Sequence, residues 1–79
     1  MSNPSTCLAK CRWILYKENS ALTVKQIHTK YEEKFGSISI DYLSNVLFLD
    51  AVGPRPKVKK EQAVGLPEFH IYKLAANHS

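Results

Sequence analysis

The chain has 79 residues, which leaves room for a single hydrophobic core, and its 44% apolar and 23% charged side chains are typical of a folded domain. The net charge of +4 arises mostly after residue 50, where five basic side chains stand against two acidic ones, and it indicates either a polyanionic partner or simply a soluble surface. No apolar run reaches the roughly 18 residues of a membrane span and the N-terminal residues lack a signal-peptide pattern, so we expect no membrane association.

Apolar spacing predicts two helices in the first half of the chain. The first covers about 6–18 and places its apolar residues in one arc at about 100° per residue. The second covers 24–35 and has the clearest local signals. Thr23 and Gln26 have the spacing of a capping box, and Gly36 suits the position that closes a helix.

A third helix and two strands are predicted after these. The helix covers about 40–49, and a Gly-Pro pair then ends it. The stretch 52–59 is predicted as an extended run that forms an edge strand or an irregular one, because its two prolines cannot donate to a neighbouring strand. A loop over 61–67 leads to a last strand over 68–74, and Leu22 is predicted to lie in a further short strand.

This order of elements predicts an α+β fold of the winged-helix type. A three-helix helix-turn-helix core is followed by a β-hairpin, whose loop is the wing. We expect a single domain over 1–79 with an ordered core over about 6–74.

Catalytic and metal-binding patterns are missing from the sequence. Cys7, Cys11, His28 and His70 are the soft ligands that could meet, but Cys-x3-Cys is not the spacing of a structural zinc site. The two cysteines are therefore predicted to be free thiols in a reducing compartment. No nucleophile elbow or phosphate loop occurs, so we expect a binding module that is not an enzyme and needs no metal or cofactor.

A basic run is the strongest indication of a partner. Arg55, Lys57 and Lys59 alternate, so an extended strand would project all three from one face, and Lys60 continues the run. Such a cluster is typical of phosphate binding in RNA or DNA. The alternative is protection of a sheet edge, where lysines and prolines prevent the addition of another strand.

The third helix is unsuited to reading DNA. It contains no Lys or Arg, and Asp41 and Asp50 lie near its two ends, which disfavours entry into the major groove. Its face away from the core is predicted to carry Tyr42, Asn45, Phe48 and Leu49. This face is a candidate contact surface for a protein or for unstacked bases, unless the wing or the first helix covers it.

Trp13 is a second candidate on the polar side of the first helix. It lies beside Lys10 and Lys17, and Tyr16 shares the same side. An exposed Trp between lysines can stack on a base or anchor a partner. The alternative is that it packs against a terminus or the final strand.

The stretch from Leu22 to Gly36, Leu-Thr-x-x-x-Ile-x-x-x-Tyr-x-x-x-Phe-Gly, resembles the second helix of LOTUS (OST-HTH) domains. These are winged-helix modules of germline RNA regulators. Residues 42–52 are similar to the family's leucine-rich third helix, and 69–74 to its last strand. The chain departs from the family in the loop before the third helix, in the ending of that helix and in the Pro-rich basic stretch.

The resemblance implies a post-transcriptional regulator in the cytoplasm or in germ granules, and it leaves the nucleus open. It implies RNA binding for minimal domains, including G-rich RNA. For extended domains with an additional C-terminal helix it implies docking on a DEAD-box helicase, or dimerisation. Residues 75–79 are too few for that helix, so the minimal class is expected if the chain is complete. We therefore expect RNA binding by the basic wing strand, with protein docking or self-association through the third helix as the alternative and DNA binding as the weaker one.

Overall fold

A computed structural model describes residues 6–75 and confirms the α+β winged-helix layout. Three helices are followed by a hairpin, and the three strands form an antiparallel sheet in the order β1-β3-β2. The elements are α1 (Cys7–Glu18), β1 (Leu22–Thr23), α2 (Val24–Lys34), α3 (Ile40–Ala51), β2 (Val58–Gln62), the 3₁₀ helix η1 (Pro67–Phe69) and β3 (Ile71–Leu74). We call β2, β3 and the residues between them the wing.

Local hydrogen bonds explain where the first two helices begin and end. Thr6 caps α1 by accepting a hydrogen bond from the backbone N–H of Ala9 at 3.1 Å. At the start of α2 the predicted capping box is present. The side chains of Thr23 and Gln26 accept from each other's backbone N–H groups at 3.0 and 2.9 Å. Gly36 follows α2 with a φ of +108°, a conformation that favours glycine.

The core lies between the three helices and the sheet, as the helical spacing predicts. Each helix contributes its apolar stripe, and each strand adds one buried side chain. The buried residues are Cys11, Ile14, Leu15, Leu22, Val24, Ile27, Tyr31, Leu43, Leu47, Val58 and Tyr72. The three helices turn their apolar stripes towards this one cluster. The opposite faces of α1 and α3 therefore point away from the core, where they can contact other molecules.

The predicted strand over 52–59 is wrong for most of its length. Helix α3 continues to Ala51, and β2 begins only at Val58. Between them the side chain of Asp50 folds forward, and its Oδ2 accepts hydrogen bonds from the backbone N–H groups of Lys57 at 2.7 Å and Val58 at 2.9 Å. These bonds hold the end of the segment 52–57 next to the helix end, and the segment joins the sheet only at Lys57, whose carbonyl oxygen accepts a hydrogen bond from the backbone N–H of Ala75 at 3.1 Å.

The boundaries of the hairpin also differ from the prediction. Glu61 and Gln62 belong to β2, and a bulge interrupts the β2–β3 register between Lys60 and Gln62. The last strand begins at Ile71, because the residues before it form η1. The predicted edge position of the basic strand is confirmed, since within residues 6–75 β2 pairs with β3 only.

Candidate nucleic-acid interface

The extended strand that was predicted to carry Arg55, Lys57 and Lys59 together does not form over all three residues. Arg55 and Lys57 precede β2, and only Lys59 lies within it. Lys59 is exposed, whereas the adjacent Val58 is completely buried, as strand alternation requires. The three side chains therefore do not belong to one strand, and their grouping does not follow from strand alternation alone.

Lys60 also departs from the prediction, because it does not extend a basic surface. It is half-buried and turns towards α3, where its Nζ lies 4.6 Å from the ring centroid of Phe48. The same Nζ lies 5.6 Å from the ring of Tyr72, whose pKa is raised by burial. Contact with two aromatic rings makes Lys60 a cation–π link between the wing and α3.

Arg55 and Lys57 meet Arg12 of α1 instead. The three cations surround a pocket of about 420 Å³, which we call the Arg12 pocket. Its lining is Arg12, Arg55, Pro56, Lys57, Leu74 and Ala75, and no acidic side chain of the described chain takes part. The Nε atom of Arg12 is buried and has no hydrogen-bond partner within residues 6–75. Sequence analysis missed Arg12, which lies more than 40 positions before the other two cations.

Asp50 shapes this pocket without lining it. Its carboxylate accepts from the backbone of Lys57 and Val58, so the lysine is fixed next to the end of α3. From the sequence, Asp50 was expected only to disfavour entry of the third helix into the DNA major groove. In the structure the carboxylate accepts hydrogen bonds from two backbone N–H groups. These bonds offset the unfavourable interaction between a negative charge and a helix C-terminus.

The outward face of α1 combines aromatic and basic side chains. Arg12 and Tyr16 are four residues apart, Tyr16 and Trp13 three, and Trp13 and Lys17 four, so these four side chains are successive neighbours on the helix surface. Tyr16 is 69% exposed. The one acidic residue of α1, Glu18, lies at its end and pairs with Lys30 of α2 at 3.4 Å.

Trp13 packs against Phe35 at the end of α2 and not against the final strand, which was one predicted alternative; the other alternative, a chain terminus, lies outside the described residues. Its ring meets the ring of Phe35 edge-on, with the centroids 5.7 Å apart and the planes at 77°. Phe35 in turn meets Tyr31, at 5.4 Å and 62°. The three rings form a row from the surface to the core, which holds the half-buried Trp13 in place.

Three lysines surround this row. The Nζ atoms of Lys17 and Lys34 lie 5.6 and 5.4 Å from the centroid of Trp13. The Nζ of Lys10 lies 5.4 Å from the ring of Phe35. A pocket of about 350 Å³ opens beside Trp13, with Glu18 and Glu33 as its acidic members. Alternating cations and rings are typical of surfaces that bind single-stranded nucleic acid.

These side chains form one continuous surface, which we call the α1 surface. Arg12, Tyr16, Trp13 and Lys17 lie at its centre. One flank consists of Lys10 and Lys34, and the other is the Arg12 pocket with Arg55 and Lys57. Of the residues predicted to bind RNA, this surface brings together Lys10, Trp13, Arg55 and Lys57, and it leaves out Lys59 and Lys60.

The apolar face predicted for α3 is exposed. Tyr42 is 56%, Phe48 43% and Leu49 57% accessible, and Asn45 is exposed beside them. The alternative in which the wing or α1 covers this face is wrong, although Lys60 contacts one side of Phe48. We call these four residues the α3 surface.

The wing adds further exposed apolar side chains that sequence analysis missed. Val64, Leu66 and Phe69 are 63%, 61% and 47% accessible. A groove of about 370 Å³ separates α3 from the wing, and both Phe48 and Pro67 line it. An apolar residue on each side of Gly65, at the tip of a hairpin, was the available signal.

The soft ligands of the sequence do not converge. Cys11 is buried and Cys7 half-buried, and burial raises the pKa of both thiols. His28 donates to the carbonyl oxygen of Ile38 at 2.8 Å, and His70 lies with its Nε2 3.2 Å from the carbonyl oxygen of Gly65. Between residues 6 and 75, no three His, Cys, Asp or Glu side chains lie close enough to hold a metal ion.

None of the helices in the described part of the chain has the length and apolar character needed to cross a bilayer. Comparison with family models, curated proteins and solved structures finds no match to this chain.

Proposed function

We propose that this domain binds single-stranded RNA through the α1 surface. The observation that carries the proposal is the composition of the outward face of α1. Two aromatic rings lie between cations there, and the cations of α2 and of the segment before β2 extend the surface on both sides. Aromatic rings stack on unpaired bases while lysine and arginine neutralise the phosphates between them.

Duplex DNA fits this arrangement less well. The helix that enters the major groove in DNA-reading winged helices corresponds to α3, which has an Asp near each end and no Lys or Arg. The bases of a duplex are stacked and paired, so they are not available to stack on the exposed ring of Tyr16 or on the half-buried ring of Trp13. RNA is favoured over single-stranded DNA by the resemblance to LOTUS domains, which also supports a role in post-transcriptional regulation.

The first test compares substitutions of two exposed tyrosines. Tyr16→Ala removes a stacking ring from the α1 surface, and Tyr42→Ala removes a ring of similar exposure from α3. Loss of one base stack should weaken RNA binding by about 1–3 kcal/mol, or about 5- to 150-fold, for Tyr16→Ala alone. Fluorescence anisotropy with a labelled single-stranded RNA measures both. Equal affinities for the two variants would refute stacking on α1.

The second test concerns the phosphate contacts. Lys17→Glu should weaken binding and flatten its salt dependence, since each neutralised phosphate contributes about −0.7 to the slope of log K against log salt for single strands. Lys25→Glu, an exposed charge reversal at the opposite end of α2 from Lys34, is the control and should change the slope little. The same sequence as single-stranded DNA and as duplex DNA should bind more weakly than the RNA.

The exposure of the α3 surface favours a second function, docking of a protein or of a second copy. Large apolar side chains grouped on one helix face of a folded domain are typical of contact surfaces. Leu49→Glu should disrupt such an assembly and leave the fold and RNA binding unchanged, because Leu49 is 57% accessible. Sedimentation of the wild type and the variant, alone and with a candidate DEAD-box helicase, tests this. Unfolding of Leu49→Glu, or identical sedimentation throughout, would count against docking on α3.

A further inference from the structure

We propose that the Arg12 pocket binds the 5′-terminal phosphate of an RNA strand and thereby fixes the direction in which RNA lies on the α1 surface. The inference deepens the proposed RNA binding and rests on it. Its basis is the meeting of Arg12, Arg55 and Lys57 around one concavity.

The charges of the pocket match a phosphomonoester. A terminal phosphate carries a charge of about −1.5 to −2 at neutral pH, whereas a phosphate within the chain carries one negative charge. Three cations line the Arg12 pocket, and the nearby carboxylate of Asp50 is bonded to the backbone of Lys57 and Val58. A site with this excess of positive charge gains most from the more highly charged group.

The chemistry of the side chains also favours a phosphate ligand. Two of the three cations are arginines, whose planar fork binds two phosphate oxygens at once. The Arg12 guanidinium pairs with no carboxylate of the described chain, and its buried Nε has no acceptor there, so no acidic side chain within residues 6–75 competes with a phosphate for this cation. Pro56 and Leu74 form an apolar wall beside the cations, against which the ribose of the first nucleotide can lie.

The position of the pocket then sets the direction of the strand. Arg12 is the neighbour of Tyr16 on α1, and Trp13 and Lys17 follow across the same face. With its 5′-phosphate at Arg12, the strand places its next bases on the two aromatic rings. Its later phosphates reach Lys17 and Lys34, whose Nζ atoms both lie within 6 Å of the Trp13 ring, at 5.6 and 5.4 Å.

The central experiment compares three forms of one short RNA, with a 5′-phosphate, with a 5′-hydroxyl and with a 3′-phosphate. The 5′-phosphorylated form should bind at least about tenfold more tightly than the other two, as expected for charge-assisted bonds to arginine. Arg55→Gln, in an exposed side chain, should remove this preference, and so should Arg12→Lys, which keeps the charge and loses the fork. Lys17→Gln, the matched control, should weaken all three forms equally.

A mononucleotide tests phosphate binding in the Arg12 pocket independently of binding to longer RNA. Uridine 5′-monophosphate should shift the backbone amide NMR signals of residues 55 and 57, and uridine should not. These shifts support the pocket even if the domain fails to bind longer RNA. Equal binding of the three RNA forms, with no shifts from the mononucleotide, would overturn the pocket and leave RNA binding intact. Tighter binding of a phosphoserine peptide than of the 5′-phosphorylated RNA would overturn the assignment to RNA.

Discussion

Asp50 connects the end of α3 to the start of β2. Its removal should destabilise the domain more than removal of Asp41, the other acidic residue of α3. Its Oδ2 accepts two backbone hydrogen bonds, at 2.7 and 2.9 Å, from residues seven and eight positions later. A hydrogen bond to a charged group contributes about 1.5–3 kcal/mol. Because Asp50 is only half-buried, water can replace part of this, and we expect Asp50→Ala to lower the free energy of unfolding by about 2–4 kcal/mol.

Two further variants show whether the hydrogen bonds are the cause. Both bonds end on one oxygen, so the amide oxygen of Asp50→Asn can still accept them. This variant also removes a negative charge from a helix C-terminus, worth about 0.3–1 kcal/mol, and its net change should stay below about 1 kcal/mol. Asp41→Ala, at the exposed N-terminal end of α3, controls for loss of a carboxylate. Urea unfolding followed by circular dichroism measures all three. If Asp50→Ala is no less stable than Asp41→Ala, the Asp50 contacts do not hold the segment before β2.

Two other predictions concern the core. Tyr31→Ala should lower the free energy of unfolding by about 3–5 kcal/mol, because it removes a buried ring and leaves a cavity beside Phe35. A normal melting temperature of this variant would show that the α2 stripe is not a core element. Burial, and then the neighbouring Cys7, raise the pKa of Cys11 above the ordinary value of 9.0, so the unfolded chain loses this proton at a lower pH than the folded one. The Cys11 thiol should therefore leave stability unaffected below pH 9 and should lower it as the pH rises further. Cys11→Ala should reduce this loss of stability at high pH. If thermal unfolding of Cys11→Ala has the same pH profile as the wild type, the prediction is wrong.

The sequence by itself determined the three helices and most of the core. These depend on short-range rules, namely the helical spacing of apolar residues and the capping box of Thr23 and Gln26, whose bonds span three positions. Helical spacing also placed Tyr42, Asn45, Phe48 and Leu49 on the face of α3 away from the core, but only the structure showed that neither the wing nor α1 covers that face. The order of these elements was enough to predict the winged-helix layout.

Only the tertiary structure decided where the basic side chains lie. Alternation predicted one face for Arg55, Lys57 and Lys59, but the first two precede the strand, and the Asp50 bonds hold Lys57 next to the end of α3. An acidic residue at a helix C-terminus, followed by Gly and Pro, was a signal that its carboxylate has a partner elsewhere.

The candidate interface itself needed the whole fold. Arg12 reaches Arg55 and Lys57 because α1 packs beside β3 and the segment that precedes β2. Trp13 is held by Phe35 from the end of α2. Such contacts join residues far apart in the chain, and periodicity reports only which side of its own element a residue occupies. The side of the molecule on which that residue lies follows from how the elements pack together.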